Sequence, residues 1–386
     1  MITLFWILLS LVFYGYIGYP VLLSIMARQN PRPVKKEKYF PGVSVILSVY
    51  NEEDVLEAKI KNFRTIDYPA EKMEIWVGSD GSTDRTNEII RNSPHPRLYL
   101  LESTIRQGKI ATLNQLVEKA KNEILIFTDA RQKFAPDAIR QLVGNFSDPT
   151  VGCVSGELVF SKEKSVGTVA SGVNLYWNYE KFIRRQESAI HSMLGATGAI
   201  YAIRRELYPA VVPAQVVLDD MFIPLKIVLK KYRAIFDDAA KAYDHPANTP
   251  QEEHTRKART LFGNYQIFSL LPEIFNPWKS PLAIQMFSHK FLRVMMPFFL
   301  IGIFIMNLFL IEHPFLRILF VLQIIFYIMA FIGNLATPAR YGILTAVSKI
   351  CYVPYTFCLL NFSALVGFWR FIRANQDITW KKARQA

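Results

Sequence analysis

The chain has 386 residues, enough for one large domain with a membrane part or for two domains. Hydrophobic residues make up 51% and charged residues 20%, high for a soluble protein, and the apolar residues pile up at the two ends while residues 28–279 have ordinary globular composition. The net charge of +13 would suit nucleic acid, but Lys and Arg flank the apolar runs and the aromatic residues lie within them, so the charge reads as membrane patterning and no nucleic-acid partner is expected.

Residues 1–26 form a nearly continuous apolar run without a charge. As a helix it would reach about 35–40 Å, longer than a hydrocarbon core of about 30 Å. A cleaved signal peptide is the alternative, and it fits poorly because no basic region precedes the run and the run is too long. Arg28, Arg32, Lys35, Lys36 and Lys38 follow at once and put the next segment on the cytoplasmic side.

Strand and helix signals then alternate. Residues 43–49 read as a strand, and Asn51 caps a helix with Glu52, Glu53 and Asp54 in its first turn. Residues 75–78 are a second strand, stopped by Ser79-Asp80-Gly81-Ser82, with a helix starting near Asp84. Residues 98–101 are a third strand, 109–120 a helix, and 123–128 a fourth strand ending at Asp129. This alternation implies a mostly parallel sheet with helices on both faces, which binds ligands outside the carboxyl ends of its strands. Tyr50-Asn51-Glu52, Asp80-Gly81-Ser82 and Asp129-Ala130-Arg131 should therefore meet along one edge. A carboxylate there can accept hydrogen bonds from ribose or a base, or hold a divalent cation. Any one of these acidic turns is explained by helix capping; three on successive strand ends favour a site. The sequence holds no Gly-x-Gly-x-x-Gly and no Walker loop, which disfavours dinucleotide and P-loop readings.

Past the globular region, residues 280–293 mix apolar residues with His289, Lys290 and Arg293 and suit an amphipathic helix in the interface. Residues 294–311 and 315–336 are spanning candidates joined by Glu312, His313 and Pro314; 344–368 is a third, weakened by Lys349 and Pro354. One crossing before the globular region and three after it would leave the C-terminus outside, yet Arg370, Arg373, Lys381, Lys382 and Arg384 favour the cytoplasm, so this topology stays open. Cys153, Cys351 and Cys358 make no disulfide framework and no zinc spacing, so reduced thiols and no structural metal are expected.

Over about residues 41–266 these motifs resemble the family 2 glycosyltransferases, above all the membrane-bound branch with cellulose synthase, hyaluronan synthase and poly-N-acetylglucosamine synthase. The carriers are the strand from Ser44 to Glu53, then Ser79-Asp80-Gly81-Ser82-Thr83-Asp84, Arg106-Gln107-Gly108-Lys109 with Asn114, Asp129 as the first aspartate of D-x-D, Gly195-Ala196-Thr197-Gly198-Ala199 before Arg204-Arg205-Glu206, Leu218-Asp219-Asp220, and Arg256-Lys257-Ala258-Arg259-Thr260 where the family has Q-x-x-R-W. The resemblance implies an α/β, GT-A type, Rossmann-like nucleotide-sugar domain with flanking transmembrane helices. The expected order is a transmembrane helix over 1–27, a cytoplasmic catalytic domain over 28–279, the interfacial helix over 280–293, transmembrane helices over 294–370 and a basic tail over 371–386, in a multi-pass protein of the inner (plasma) membrane.

By the same resemblance, the activity is inverting hexosyl transfer from a UDP-sugar to a growing polysaccharide. The alternatives are a single transfer to a lipid-linked acceptor and a non-catalytic nucleotide-binding module. Asp220 would be the base and Asp219 its neighbour. Tyr50, Asn51, Glu52, Asp80, Lys109, Asp129, Arg131, Arg256 and Arg259 would bind the nucleotide-sugar, and Gly195, Ala196, Thr197, Gly198 and Trp177 would face the acceptor. Trp177 belongs to an aromatic cluster that packing at the bilayer interface explains equally well. Mg2+ or Mn2+ would sit on Asp129 with His245. Arg131 stands in the second D-x-D position, which weakens the metal expectation, and Thr260 replaces the family's tryptophan, which puts processive action in doubt. Partners are the UDP-sugar, a carbohydrate or lipid-linked acceptor and membrane lipids, with export or partner subunits left open.

Overall fold

The computed structural model describes residues 1–160, 168–245, 250–335 and 342–373. The chain begins with α1 (Ile2–Phe13), a π-helical segment (Tyr14–Gly18) and α2 (Tyr19–Gln29), which join into one helix of 28 residues. β1 (Val43–Val49), α2's successor α3 (Glu53–Phe63), β2 (Met73–Asp80), α4 (Thr86–Arg91), β3 (Leu98–Ser103), α5 (Lys109–Lys119) and β4 (Ile124–Thr128) follow in the alternation expected from the sequence. Then come β5 (Lys133–Phe134), α6 (Ala138–Val143), β6 (Val151–Phe160), α7 (Thr168–Ile190), β7 (Tyr201–Arg204), α8 (Asp219–Leu229), β8 (Arg233–Asp244) and α9 (Pro250–Leu270). The chain closes with α10 (Ala283–Gln285), a second π-helical segment (Met286–Phe291), α11 (Leu292–Phe309), α12 (Pro314–Leu335) and α13 (Gly342–Ile372).

The strands form one sheet in the order β3-β2-β1-β4-β7-β6-β8-β5. β3, β2, β1 and β4 are parallel, as expected. Beyond β4 the sheet becomes mixed, with β7 antiparallel to both β4 and β6, β5 antiparallel to β8, and β6 parallel to β8. The apolar strands alone could not reveal this, because strands buried on both faces look alike in either direction. Alternation along β1 and β4 fills two cores. Val43, Val45, Leu47, Val49, Ile124 and Ile126 enter one, while Ile46, Leu125 and Phe127 enter the other. Helices pack on both faces of the sheet, and the polar turns after β1, β2 and β4 lie at the edge beyond the strand ends.

Asn51 does not cap α3, whose N-cap is Glu52. Its backbone is left-handed at φ 52°, a conformation asparagine tolerates, and its Oδ1 accepts the N–H of Thr83 at 2.8 Å. The cap is displaced because a tertiary bond claims the side chain.

Among the described residues, four helical runs are long and apolar enough to cross a membrane: Ile2–Gln29, Ala283–Phe309, Pro314–Leu335 and Ile350–Ile372. The stretch over 280–293 is not a separate helix here, since its helical part continues without a break into α11. Ala336, the side chain of Lys349, and Lys381, Lys382 and Arg384 of the basic tail lie outside the described residues.

α5 lies directly on β2, where a Cβ on Gly78 would stand 2.3 Å from Cγ2 of Thr112. This contact sets the height of Lys109, the first residue of α5, above the strand ends. Gly78→Val should lower stability by about 1–3 kcal/mol through overpacking, read as a lower thermal midpoint of the purified protein in detergent.

Candidate active site

The ends of β1 and β2 are tied to each other. Asn51 N donates to Ser82 Oγ at 3.1 Å and Glu52 N to Thr86 Oγ1 at 2.9 Å, and Glu52 is buried at the start of α3. The guanidinium of Arg106 lies 3.7 Å from the centre of the Tyr50 ring. Asp80, only 3% exposed, accepts the main-chain N–H of Gln107 on Oδ1 at 2.6 Å and that of Gly108 on Oδ2 at 2.9 Å. Gly108 has φ 96°, which favours glycine strongly. The Asp80 carboxylate therefore shapes the turn that launches α5, where its charge also suits the helix N-terminus.

Lys109 emerges from that turn into a group of carboxylates. Its Nζ stands 3.2 Å from Oδ1 of Asp129 at the end of β4 and 3.4 Å from Oδ1 of Asp219 at the start of α8. Burial alone would depress this ammonium, but Asp129, Asp219 and Asp220 outweigh it and hold its pKa above the ordinary range. Arg259 on α9 faces the same three carboxylates; burial pulls its pKa down, and they oppose the shift.

Asp220 sits in a cradle made by residues 195–199. Ala196 N donates to the main-chain O of Asp220 at 2.7 Å, and Gly198 N donates to its Oδ2 at 3.1 Å. Burial, together with the charge of Asp219, pushes the Asp220 carboxyl up to about 6; Lys109 and Arg184 pull it down and Asp129 adds to the rise. Arg184 on α7 donates to Thr197 Oγ1 at 2.7 Å, so it braces the same loop.

Other residues expected at the site lie around this centre. Arg131 Nη2 is 3.8 Å from Oδ2 of Asp244, the last residue of β8, whose Oδ1 accepts the N–H of His245 at 2.8 Å. Arg256 stays exposed one turn before Arg259. Trp177 is bound into the fold, donating Nε1–H to the main-chain O of Leu158 at 2.9 Å with its ring 5.9 Å from Phe160. Gly195 packs beside Met221 and the main-chain O of Asp220. Thus Lys109, Asp129, Asp219, Asp220, Arg259 and the 195–199 loop converge. Tyr50, Asn51, Glu52 and Asp80 line the adjoining β1–β2 end, and Arg131 and His245 the β8 end.

Sequence reasoning missed Arg184, Asp244 and Lys59. Lys59 left a signal: it interrupts the apolar stripe of α3 made by Leu56, Ile60 and Phe63. Arg184 and Asp244 left none, because only folding brings α7 and the end of β8 to this edge.

Among the described residues no cluster of three or more His, Cys, Asp or Glu gathers to hold a metal ion. The protein offers Asp129, half-buried at the strand end, as a hard oxygen ligand. That suits a Mg2+-like ion, which is bound through one or two carboxylates together with substrate phosphates and water.

Such a sheet, with a carboxylate–lysine cluster beyond its parallel strand ends, defines a GT-A glycosyltransferase domain. A family described as glycosyl transferase family 2 matches residues 44–211, so the chain carries a domain of that family and is a glycosyltransferase. A poly-β-1,6-N-acetyl-D-glucosamine synthase of Staphylococcus aureus is 24% identical over 296 residues, 74% of this chain and 68% of that protein. A β-monoglucosyldiacylglycerol synthase of Nostoc is 31% identical over 169 residues, 40% and 36% of the two chains. A mannosyltransferase of Pyrobaculum calidifontis, solved with GDP-Man and Mn2+, shares the fold at a TM-score of 0.70 and 23% identity, over 97% of this chain and 100% of its own.

Asp80→Ala should leave the buried Gly108 N–H and the part-buried Gln107 N–H without their acceptors. A loss of about 1–3 kcal/mol is expected in thermal unfolding, with faster hydrogen exchange at Gln107 and Gly108.

Proposed function

We propose that the chain transfers a hexose from a UDP-sugar, with inversion, to a growing polysaccharide at the cytoplasmic face of the inner (plasma) membrane. The observation that carries this reading is the Asp220 carboxylate, held by the Gly198 amide beside the Lys109–Asp129–Asp219 group, where burial and Asp219 push it up to about 6. A carboxylate with such a pKa is ionised at neutral pH yet basic enough to receive a proton.

In this reading the acceptor hydroxyl oxygen attacks the anomeric carbon while its proton passes to Asp220. The bond from that carbon to the diphosphate breaks on the opposite side, and its electron pair leaves on the diphosphate. Lys109, Arg259 and Arg131 face the growing negative charge, and Arg256 adds to the basic surface of α9. Tyr50, Asn51, Glu52 and Asp80 form the nucleoside end, residues 195–198 and Trp177 the acceptor side, and Asp219 keeps Lys109 in register. Asp129, with His245 at the neighbouring strand end, would hold Mg2+ or Mn2+; such an ion supplies charge neutralisation to the leaving diphosphate. The mannosyltransferase solved with GDP-Man and Mn2+ supports a nucleotide-sugar donor and a divalent ion. The four apolar helices support membrane residence, with 28–279 as the cytoplasmic catalytic domain.

The relative named as a polysaccharide synthase supports a polymeric product. Thr260, where the family carries a tryptophan, and the relative that makes a glucosyldiacylglycerol favour a second reading, one sugar added to a lipid-linked acceptor. Purified protein with labelled UDP-sugars separates the two: a ladder or long polymer supports the first, one added sugar the second. Release of UDP from none of the UDP-sugars, with Mg2+ or Mn2+ present, would refute both.

Asp220→Asn should abolish transfer while UDP affinity, measured by calorimetry, stays within about twofold; normal turnover would remove the base assignment. Asp129→Ala should weaken UDP binding and the response to Mn2+ together. The rate should fall as pH drops through about 6, where Asp220 becomes protonated. In Asp219→Asn, which removes a charge that raises Asp220, this acid limb should move to lower pH.

A further inference from the structure

Lys59 projects from α3 into the interior and is 1% exposed. Its Nζ donates to Thr128 Oγ1 at 2.8 Å and to the main-chain O of Gln132 at 2.6 Å, the two ends of the turn that carries Asp129 and Arg131. The rings of Phe63 and Phe134 lie 5.1 and 4.5 Å from the ammonium. Among the described residues no carboxylate reaches it directly. Burial pushes its pKa down to about 7, while the more distant charges of Asp129 and Asp244 oppose that shift.

An ammonium in this setting is costly, and a methionine would pack against the same rings without that cost. Attachment of the segment to α3 does not require it either. Asn62, one turn further along, already clamps Phe134 by accepting its N–H at 2.7 Å and donating to its carbonyl at 2.9 Å. What Lys59 adds is control of the turn itself. Gln132, whose carbonyl it holds, donates through Nε2 to Oδ2 of Asp244 at 2.8 Å, and Thr128 donates to the carbonyl of Ala199, in the loop that cradles Asp220, at 3.0 Å.

We propose that Lys59 is a positioning residue of the donor site: its buried ammonium fixes the 128–132 turn so that Asp129 and Arg131 are set for the diphosphate. The inference rests on the donor reading given above. Lys59 touches no substrate; it acts through the turn, as groups behind a ligand-binding residue do. A role confined to stability predicts that folding and binding decline together. A positioning role predicts that they separate, because removing a buried charge relieves the fold while the turn loses its brace.

The test compares Lys59→Met and Lys59→Gln with the full-length wild type in detergent, by thermal unfolding and by calorimetric titration with UDP and Mn2+. In both variants we expect a midpoint equal to or above that of the wild type and UDP affinity reduced about tenfold or more, with donor KM rising more than kcat falls. Asn62→Ala is the control, expected to lower the midpoint with UDP affinity within twofold. UDP affinity within twofold of wild type in a folded Lys59 variant overturns the proposal, as does a loss of affinity matched by a lower midpoint in both. Should the Met variant not fold, the Gln variant decides alone. Failure of the wild type to bind UDP refutes the donor reading itself, a result distinct from any difference between variants.

Discussion

The bridge from Lys109 to Asp129 and Asp219 is the interaction on which the site depends. Asp129 follows β4 of the parallel half of the sheet, whereas Asp219 opens α8, between β7 and β8 of the mixed half. One ammonium between two carboxylates fixes the spacing of these halves. Without a cation there, Asp129, Asp219 and Asp220 would repel one another in a partly desolvated space. Arg259 joins from a third direction, so the carboxylates are countered from α5 and α9 alike.

The start of α5, and with it Lys109, is set by helix packing and by one carboxylate. The close approach of α5 to β2 fixes its height, and Asp80 gathers the Gln107 and Gly108 amides into the turn beneath it. The charge of Asp80 is thus used to shape main chain, while those of half-buried Asp129 and buried Asp219 meet Lys109. Asp220 differs from both because its Oδ2 is met by the Gly198 amide and its surroundings raise its pKa. Four aspartates at this edge thus take three distinct characters from the groups they meet.

The apolar helices are joined to this centre by packing and by buried charge. Tyr265 of α9 meets Phe368 and Phe371 of α13 at 5.3 and 5.8 Å, which seats the helix carrying Arg259 against the last apolar run. On the other side, buried His289 lies between Glu187, at 2.8 Å, and Glu180, at 3.3 Å; Glu180 also pairs with Arg293, and Glu187 accepts the Tyr19 hydroxyl at 2.8 Å. Breaking such a network would leave a carboxylate uncompensated. The catalytic domain is therefore held in a defined orientation on the first apolar helix and on the helical run from Ala283 to Phe309.

Sequence alone determined the elements from β1 to β4, the apolar helices and the strand-end residues, because period-2 and period-3.6 patterns, polar turns and long uncharged runs are local properties. It could not determine strand direction beyond β4, since doubly buried strands carry no directional mark. Nor could it show that Asn51 spends its side chain on Thr83, or that Asp80 braces main chain. The positions of Arg184, Asp244 and Lys59 were likewise decided by tertiary structure: each comes from an element whose own pattern is complete without reference to the site, and only the packing of those elements around the sheet edge gives their charges a common purpose.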